Sequence, residues 1–352
     1  MKALLLRLFA ASPAPPAKGG GRIARAIEVV RQTAWQVTQS MEELPTTPGA
    51  PGTESEPSEI GVAFFSWLVA IPELAQAEPG GRETRALQRL DRVAADPAAQ
   101  QSLLPRAAAV VPQLMGRLRD ASVSLTELSQ YVSRDMTLVA EVIRTANSAY
   151  YRRGEAVVEL DHAIRSIGIL GLQGTVARTV LKPVFDGRGG ELVTRSARRL
   201  WEHTERKAEL CTVLARCENI DPLEGYLAGL VHNAVWSAVL RALDGVDGEG
   251  TWVFSAPIVR ALEARRDRLF EIIAKRWQLS DGLTELAIDV AQRGLASAAS
   301  VQGRLLYTGD RLASMLCVPG RLGEAEAWLA NQPKPVRECF ESLRRAQDAA
   351  AA

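Results

Sequence analysis

Histidine is scarce in this chain: only His162, His203 and His232 occur in 352 residues, which leaves few positions for imidazole chemistry. Aromatic residues are also sparse, at 5%, while Ala and Leu abound. That balance disfavours a β-sandwich, which draws on aromatic and β-branched side chains, and favours an all-α fold. Charge of either sign is nearly absent in the net. With a formal charge of +1 there is no global field for nucleic acid or a membrane surface, so any such role has to come from a local patch. Cysteines are few and scattered (Cys211, Cys217, Cys317, Cys339), with no C-x-x-C pair. A chain this large needs no disulfide staples, so they read as small buried hydrophobes in a reducing cytoplasm. Long apolar runs are missing too. Ala3 to Leu6 is cut by Arg7, short of a signal-peptide core, and Ile60 to Ile71 stops at Pro72, short of a bilayer span. We expect a cytoplasmic protein without a membrane span.

What is present is helical periodicity, interrupted by Pro- and Gly-rich breaks. The length suits two domains, or one large domain with an extension. Residues 1–57 read as a flexible basic arm: Lys2, Arg7, Lys18, Arg22, Arg25 and Arg31 face one acid, Glu28, before residue 40. The stretches Ser12 to Gly21 and Pro45 to Pro57 bracket one amphipathic helix over 22–44. Residues 58–103 are too apolar for a linker and predict two or three helices. Ser124-Leu125-Thr126-Glu127 has capping-box spacing, and Asp135 can cap a second helix whose stripe is Leu138, Val139, Val142, Ile143 and Ala146. Further helices are predicted over 160–167, 172–181, 192–217, 223–243, 257–277, 283–293 and 301–316. The remainder, 317–352, reads as one helix and a frayed Ala tail.

Two of the three histidines fall on neighbouring long helices. Consecutive helical residues point about 100° apart, so His232 and Asn233 together could face one ion held between helices. Position 233 is an uncharged amide, however, and Asp310 in Gly309-Asp310-Arg311-Leu312 supplies a single carboxylate. A hydrolytic metal site needs anionic ligands to hold its cation and acidify the bound water. Two imidazoles and one carboxylate could still make a mononuclear facial site. The plainer reading makes His203 and His232 buried interhelical hydrogen-bonding residues.

The order of motifs from Leu104 to Leu316 resembles an HDOD domain, the degenerate relative of HD-superfamily phosphohydrolases in bacterial signalling proteins. The resemblance rests on Leu104-Pro105 with Pro112 and Leu114, Ser133-Arg134-Asp135, the run Arg144-Thr145-Ala146-Asn147-Ser148-Ala149-Tyr150-Tyr151, and Ala163-Ile164 with Gly168, Leu170 and Gly171. It continues through Trp201 and His203, Ala228-Gly229-Leu230-Val231-His232, Arg276-Trp277 and Gly309-Asp310-Arg311-Leu312. It implies an all-helical domain over 104–316, with an HD-like helical half packed on a second helical subdomain. Carried over residue by residue, the HD ligands become His203, His232-Asn233 and Asp310. The His-Asp-x-Gly-Lys form of the related HD-GYP phosphodiesterases stands here as His232-Asn233-Ala234-Val235-Trp236, without the aspartate, glycine or lysine. We therefore expect a vestigial pocket with no catalytic residue, metal or cofactor.

The expected function is a non-catalytic signal-transduction regulator acting on other signalling proteins. No receiver, EAL or GGDEF motif accompanies it, so input or output is expected from a separate partner. Asn147, Tyr150, Tyr151, Arg152 and Arg153 form one candidate interaction surface, and the window Phe64, Phe65, Trp67 and Leu68 a second, which otherwise reads as a buried helix. The emptied pocket could hold a small ligand such as a nucleotide. The first alternative is a residual metal-dependent phosphohydrolase or phosphodiesterase. The second is a DNA-binding helix-turn-helix over 124–147, whose would-be recognition helix offers only Arg144 beside Asp135 and Glu141, so nucleic acid is not expected as a partner.

Overall fold

Apolar stripes at helical spacing become helices throughout. The computed structural model describes residues 59–103, 124–148, 151, 154–187, 189–248 and 251–351. Among them are thirteen α-helices and no strand beyond one isolated bridge, Ala75 to Ser255. The helices are α1 (Glu59–Val69), α2 (Gly81–Ala95), α3 (Pro97–Leu103), α4 (Leu125–Val132), α5 (Met136–Ala146), α6 (Leu160–Leu181), α7 (Glu191–Cys217) and α8 (Pro222–Asp244). They continue with α9 (Ala256–Trp277), α10 (Asp281–Arg293), α11 (Val301–Cys317), α12 (Leu322–Leu329) and α13 (Lys334–Ala351). The fold class is all-α, as the composition requires. None of the described helices is long and apolar enough to cross a membrane, and the four cysteines are free thiols.

The centre is the hairpin of α7 and α8, joined by Glu218 to Asp221. Its two helices approach closely because glycine lines the seam. A Cβ on Gly225 would stand 2.4 Å from the carbonyl oxygen of Cys211, and one on Gly229 would stand 2.7 Å from Cα of Ala208. Residues 225 and 229 thus face 211 and 208 in reverse order, as antiparallel packing demands. The third helix follows the same device: a Cβ on Gly309 of α11 would lie 2.4 Å from Sγ of Cys211. A Gly→Ala change inside an exposed helix ordinarily gains about 0.5–1 kcal/mol. Here Gly225→Ala is expected to cost about 1–3 kcal/mol, since its methyl group meets backbone that cannot swing aside. Urea unfolding of that variant checks the sign.

A second helical group precedes the hairpin. Ser124 caps α4 with Oγ accepting from Glu127 N (3.2 Å), while Glu127 Oε2 accepts from Ser124 N (2.8 Å). Asp135 Oδ1 accepts from Thr137 N and Leu138 N at the start of α5. Leu128, Val132, Leu138, Val142 and Ala146 are buried. The two short helices expected over 160–167 and 172–181 lie on either side of a break at Gly168, whose φ of +68° and ψ of −177° leave the helical region; α6 denotes the pair.

The remaining differences lie at the ends. Residues 59–103 form three helices, and α1 packs on α7, α9 and α11. Phe64, Phe65 and Leu68 are buried there and Trp67 is half-buried, so this window is core and not a docking surface. The single C-terminal helix and frayed tail are corrected to two helices, the second running to Ala351. Alanine is the strongest helix former, and Val336 and Phe340 bury one face of α13. The described residues form one compact unit. The basic arm with its 22–44 helix, Leu104-Pro105, Pro112, Leu114, Tyr150, Arg152 and Arg153 lie outside the described residues.

Candidate functional site

Four helices bring one side chain or more to a common point beneath α1. On α7 the buried stripe Ser196, Leu200, His203, Lys207, Cys211 and Leu214 carries two polar groups one turn apart, His203 and Lys207. Helix α8 contributes His232 and Asn233, α11 contributes Asp310 and Ser314, and α9 contributes Arg266 and Asp267. The structure therefore assembles His203, His232, Asn233 and Asp310, the four positions singled out in the sequence, and adds Lys207, Arg266 and Asp267 to them.

Lys207 is the hub. Its Nζ lies 2.6 Å from His232 Nδ1, 3.0 Å from Asn233 Oδ1 and 2.6 Å from Asp310 Oδ1, and its side chain is 0% exposed. Three acceptors around one nitrogen match the three N–H donors of an ammonium. The tautomer of His232 decides that charge. Its Nε2 faces Asp267 Oδ1 at 3.4 Å, and a carboxylate only accepts, so Nε2 holds the proton and Nδ1 is left to accept from Lys207.

Around this hub the polar side chains are paired, except that Trp236 Nε1 is buried without an acceptor. Asn233 Nδ2 donates to His203 Nδ1 at 2.7 Å and to Thr204 Oγ1 at 3.1 Å. His203 thus carries its proton on Nε2 and donates it to Ser314 Oγ at 3.1 Å, which donates onward to Asp310 O at 2.8 Å. Arg266 Nε donates to Asp267 Oδ1 at 3.0 Å, its Nη1 lies 3.8 Å from Asp310 Oδ2, and Asp267 Oδ2 accepts from Leu295 N at 2.8 Å. Two cations, Lys207 and Arg266, thereby balance two carboxylates, Asp267 and Asp310. Aromatic rings wall the site: Phe64 lies 4.4 Å from the His203 ring, Phe270 meets His232 edge-on at 5.1 Å, and the Arg266 guanidinium sits 5.5 Å above Trp236.

Burial pushes both His203 and His232 down to about 3, with Lys207 and Arg266 adding to the effect at His232. Both rings are neutral at pH 7. Burial works to raise Asp310, but Lys207 and Arg266 outweigh it and hold the carboxyl well below the usual range. Burial lowers Lys207 while Asp310 opposes it. Three acceptors within 3.0 Å of Nζ call for the three N–H donors of an ammonium.

A divalent cation does not fit this arrangement. The inward lone pairs of His232, Asn233 and Asp310 already receive protons from Lys207, and a further charge of +2 beside two cations in a balanced cluster would be repelled. Among the described residues no group of three His, Cys, Asp or Glu is arranged to hold a metal.

The domain model that describes the HDOD domain matches residues 104–291, more than half of the chain. This chain belongs to the HDOD family. Two solved structures share the fold. A Shewanella amazonensis SB2B protein whose name proposes a metal-dependent phosphohydrolase gives a TM-score of 0.55 at 15% identity, covering 76% of this chain and 99% of its own. A Geobacter sulfurreducens HDOD domain protein of unknown function gives 0.52 at 17% identity, over 76% and 96%. An uncharacterized protein of Treponema pallidum (strain Nichols) is 25% identical over 132 residues, which is 35% of this chain but only 25% of that protein. The HDOD match stops before Asp310 and begins after α1, so two parts of the pocket, its carboxylate and its Phe64 cover, come from outside the matched segment.

Sequence reasoning missed Lys207, Arg266 and Asp267. Lys207 stands four residues after His203 on the buried stripe of α7, and Arg266 stands four after Leu262 on the buried face of α9. Both sit in charged runs, Glu205-Arg206-Lys207 and Glu263-Ala264-Arg265-Arg266-Asp267-Arg268, which look solvated when read linearly. At the other candidate surface, Asn147 Nδ2 donates to Ile143 O and Val157 O, and Asn147 Oδ1 accepts from Val157 N at 2.8 Å. Its amide is committed to joining the end of α5 to Val157. Tyr151 is half-buried against the core.

Proposed function

We propose that this HDOD protein is a non-catalytic bacterial signal-transduction regulator that works by contact with other proteins in the cytoplasm. The observation that carries this reading is the Lys207 ammonium, which takes up the acceptors that would otherwise ligate a hydrolytic ion. Neutral His203 and His232, the amide at 233 and the paired Asp310 together supply no free base to activate water. Protein contact is favoured by exposed apolar side chains on and beside α5 and α6: Met136 and Val158 are 78% and 77% exposed, and Ile169 and Leu170 are 41% exposed. The DNA-binding reading gains nothing, because Arg144 of α5 is engaged by Glu141 at 2.5 Å.

The test is hydrolysis of bis(p-nitrophenyl) phosphate by the purified full chain with Mg²⁺, Mn²⁺ or Zn²⁺. The expected rate equals that of the His203→Ala and His232→Ala variants, and Asn233→Asp alone does not raise it, since Lys207 still fills the centre. Metal-dependent turnover by the wild-type chain that those histidine substitutions abolish would favour the residual phosphohydrolase and overturn this reading.

A further inference from the structure

We propose that Lys207 is a tethered substitute for a divalent cation, and that this side chain keeps a latent cation site closed. The inference rests on the non-catalytic reading of the pocket and names the residue that enforces it. Nζ of Lys207 is the point on which three protein acceptors from two helices converge: His232 Nδ1 and Asn233 Oδ1 of α8 and Asp310 Oδ1 of α11, at 2.6, 3.0 and 2.6 Å. One imidazole nitrogen and two oxygens around a common centre are donor types that zinc-like divalent ions accept. Ion–ligand distances are about 2.0–2.2 Å, so the cage needs to contract by about 0.5 Å at His232 and Asp310 and by about 0.9 Å at position 233 once the ammonium is gone.

The ammonium and an ion exclude one another for two reasons. They need the same lone pairs. Charge adds a second barrier, because Lys207 and Arg266 already neutralise Asp267 and Asp310. Removing Lys207 leaves that cluster one charge short, and replacing Asn233 with aspartate leaves it two short, which is the charge of the ion. Position 233 is suited to the change because its Oδ1 already points at the centre. The second cation, Arg266, is held by Asp267 and by the face of Trp236, on the far side of Asp310, and does not occupy the centre. Neither substitution alone meets both requirements. Asn233→Asp leaves the centre filled, and Lys207→Ala leaves only one carboxylate turned inward.

The experiment is a Co²⁺ titration of the full chain, read by visible absorption and by thermal melting with and without chelator. Four proteins are compared: wild type, Asn233→Asp, Lys207→Ala, and the double variant Lys207→Ala/Asn233→Asp. Wild type and Asn233→Asp are expected to show no cobalt bands and no chelator effect. The double variant is expected to bind one Co²⁺ on the order of 1,000-fold more tightly than Asn233→Asp, the factor expected from removing a unit charge at the ion's position. That binding disappears when His232→Ala is added. Lys207→Ala alone falls between.

A folded double variant that binds no tighter than Asn233→Asp overturns the proposal. So does stoichiometric binding by Asn233→Asp or wild type that His232→Ala abolishes, a result that stands even if the double variant cannot be purified. A double variant that fails to bind, alongside a wild-type chain without hydrolase activity, sinks the tethered-cation idea and leaves the non-catalytic regulator intact. Metal-dependent turnover by wild type sinks both.

Discussion

Lys207→Met lowers the unfolding free energy of the full chain by about 3–5 kcal/mol, the range found when one member of a buried ion pair is deleted. Methionine nearly fills the volume of the lysine stem, so the loss is not a cavity effect. It comes from the groups left behind. Asp310 Oδ1, Asn233 Oδ1 and His232 Nδ1 each lose their donor in a site where Lys207, His232 and Asn233 are 0% exposed. Arg266 compensates Asp310 only in part, at 3.8 Å from its other oxygen. An exposed lysine gives the control: Lys275, paired with Glu271 on the surface of α9, changes stability by no more than about 0.5 kcal/mol when replaced by methionine. Urea unfolding at pH 7 followed by circular dichroism measures both. A loss below about 1 kcal/mol at position 207 would mean that the ammonium is not committed to the cage.

The second large effect is on acid stability. Burial holds His203 and His232 neutral, with folded values depressed to about 3, whereas an unfolded histidine takes up its proton near pH 6.5. Below that pH the unfolded chain binds protons that the folded chain refuses. Each ring's contribution is therefore complete above the ordinary histidine value and is lost as pH falls toward 3, at up to about 1.4 kcal/mol per pH unit. Between pH 7 and pH 5 this amounts to about 2 kcal/mol for each histidine. Other groups titrate in the same interval, so the measurement is a difference. The stability gap between wild type and His203→Gln, which carries no titrating ring, should narrow by about 2 kcal/mol over that range, because the remaining groups are common to both chains. A gap independent of pH would show that His203 is not buried as a neutral ring.

The two effects come from one arrangement, and they differ in how far the sequence foretold them. Helix α7 was expected from residue 192 and begins at Glu191; α8, α9, α10 and α11 likewise start and stop within two residues of their sequence signals. The caps at Ser124 and Asp135 form as their spacing requires. These features are local. Periodicity, capping and Pro/Gly punctuation act over a few residues, so the linear text contains them. The candidate positions His203, His232, Asn233 and Asp310 were also legible, because their motifs occur in an order that resembles a known family.

The occupant of the pocket was not legible. Lys207 and Arg266 lie in runs of charge that read as a solvated face, and only the burial of their stripes turns them inward. A lysine reads as surface until three acceptors from two other helices are seen to surround it. Phe64 was offered as part of a docking window, and packing made it the cover of His203 instead. The amino-acid sequence by itself determined an all-helical chain and the candidate positions His203, His232, Asn233 and Asp310. The tertiary structure alone decided what fills the centre, because Lys207 meets its three acceptors only when His232 leaves Nδ1 unprotonated, and that tautomer is favoured by Asp267, thirty-five residues away on α9.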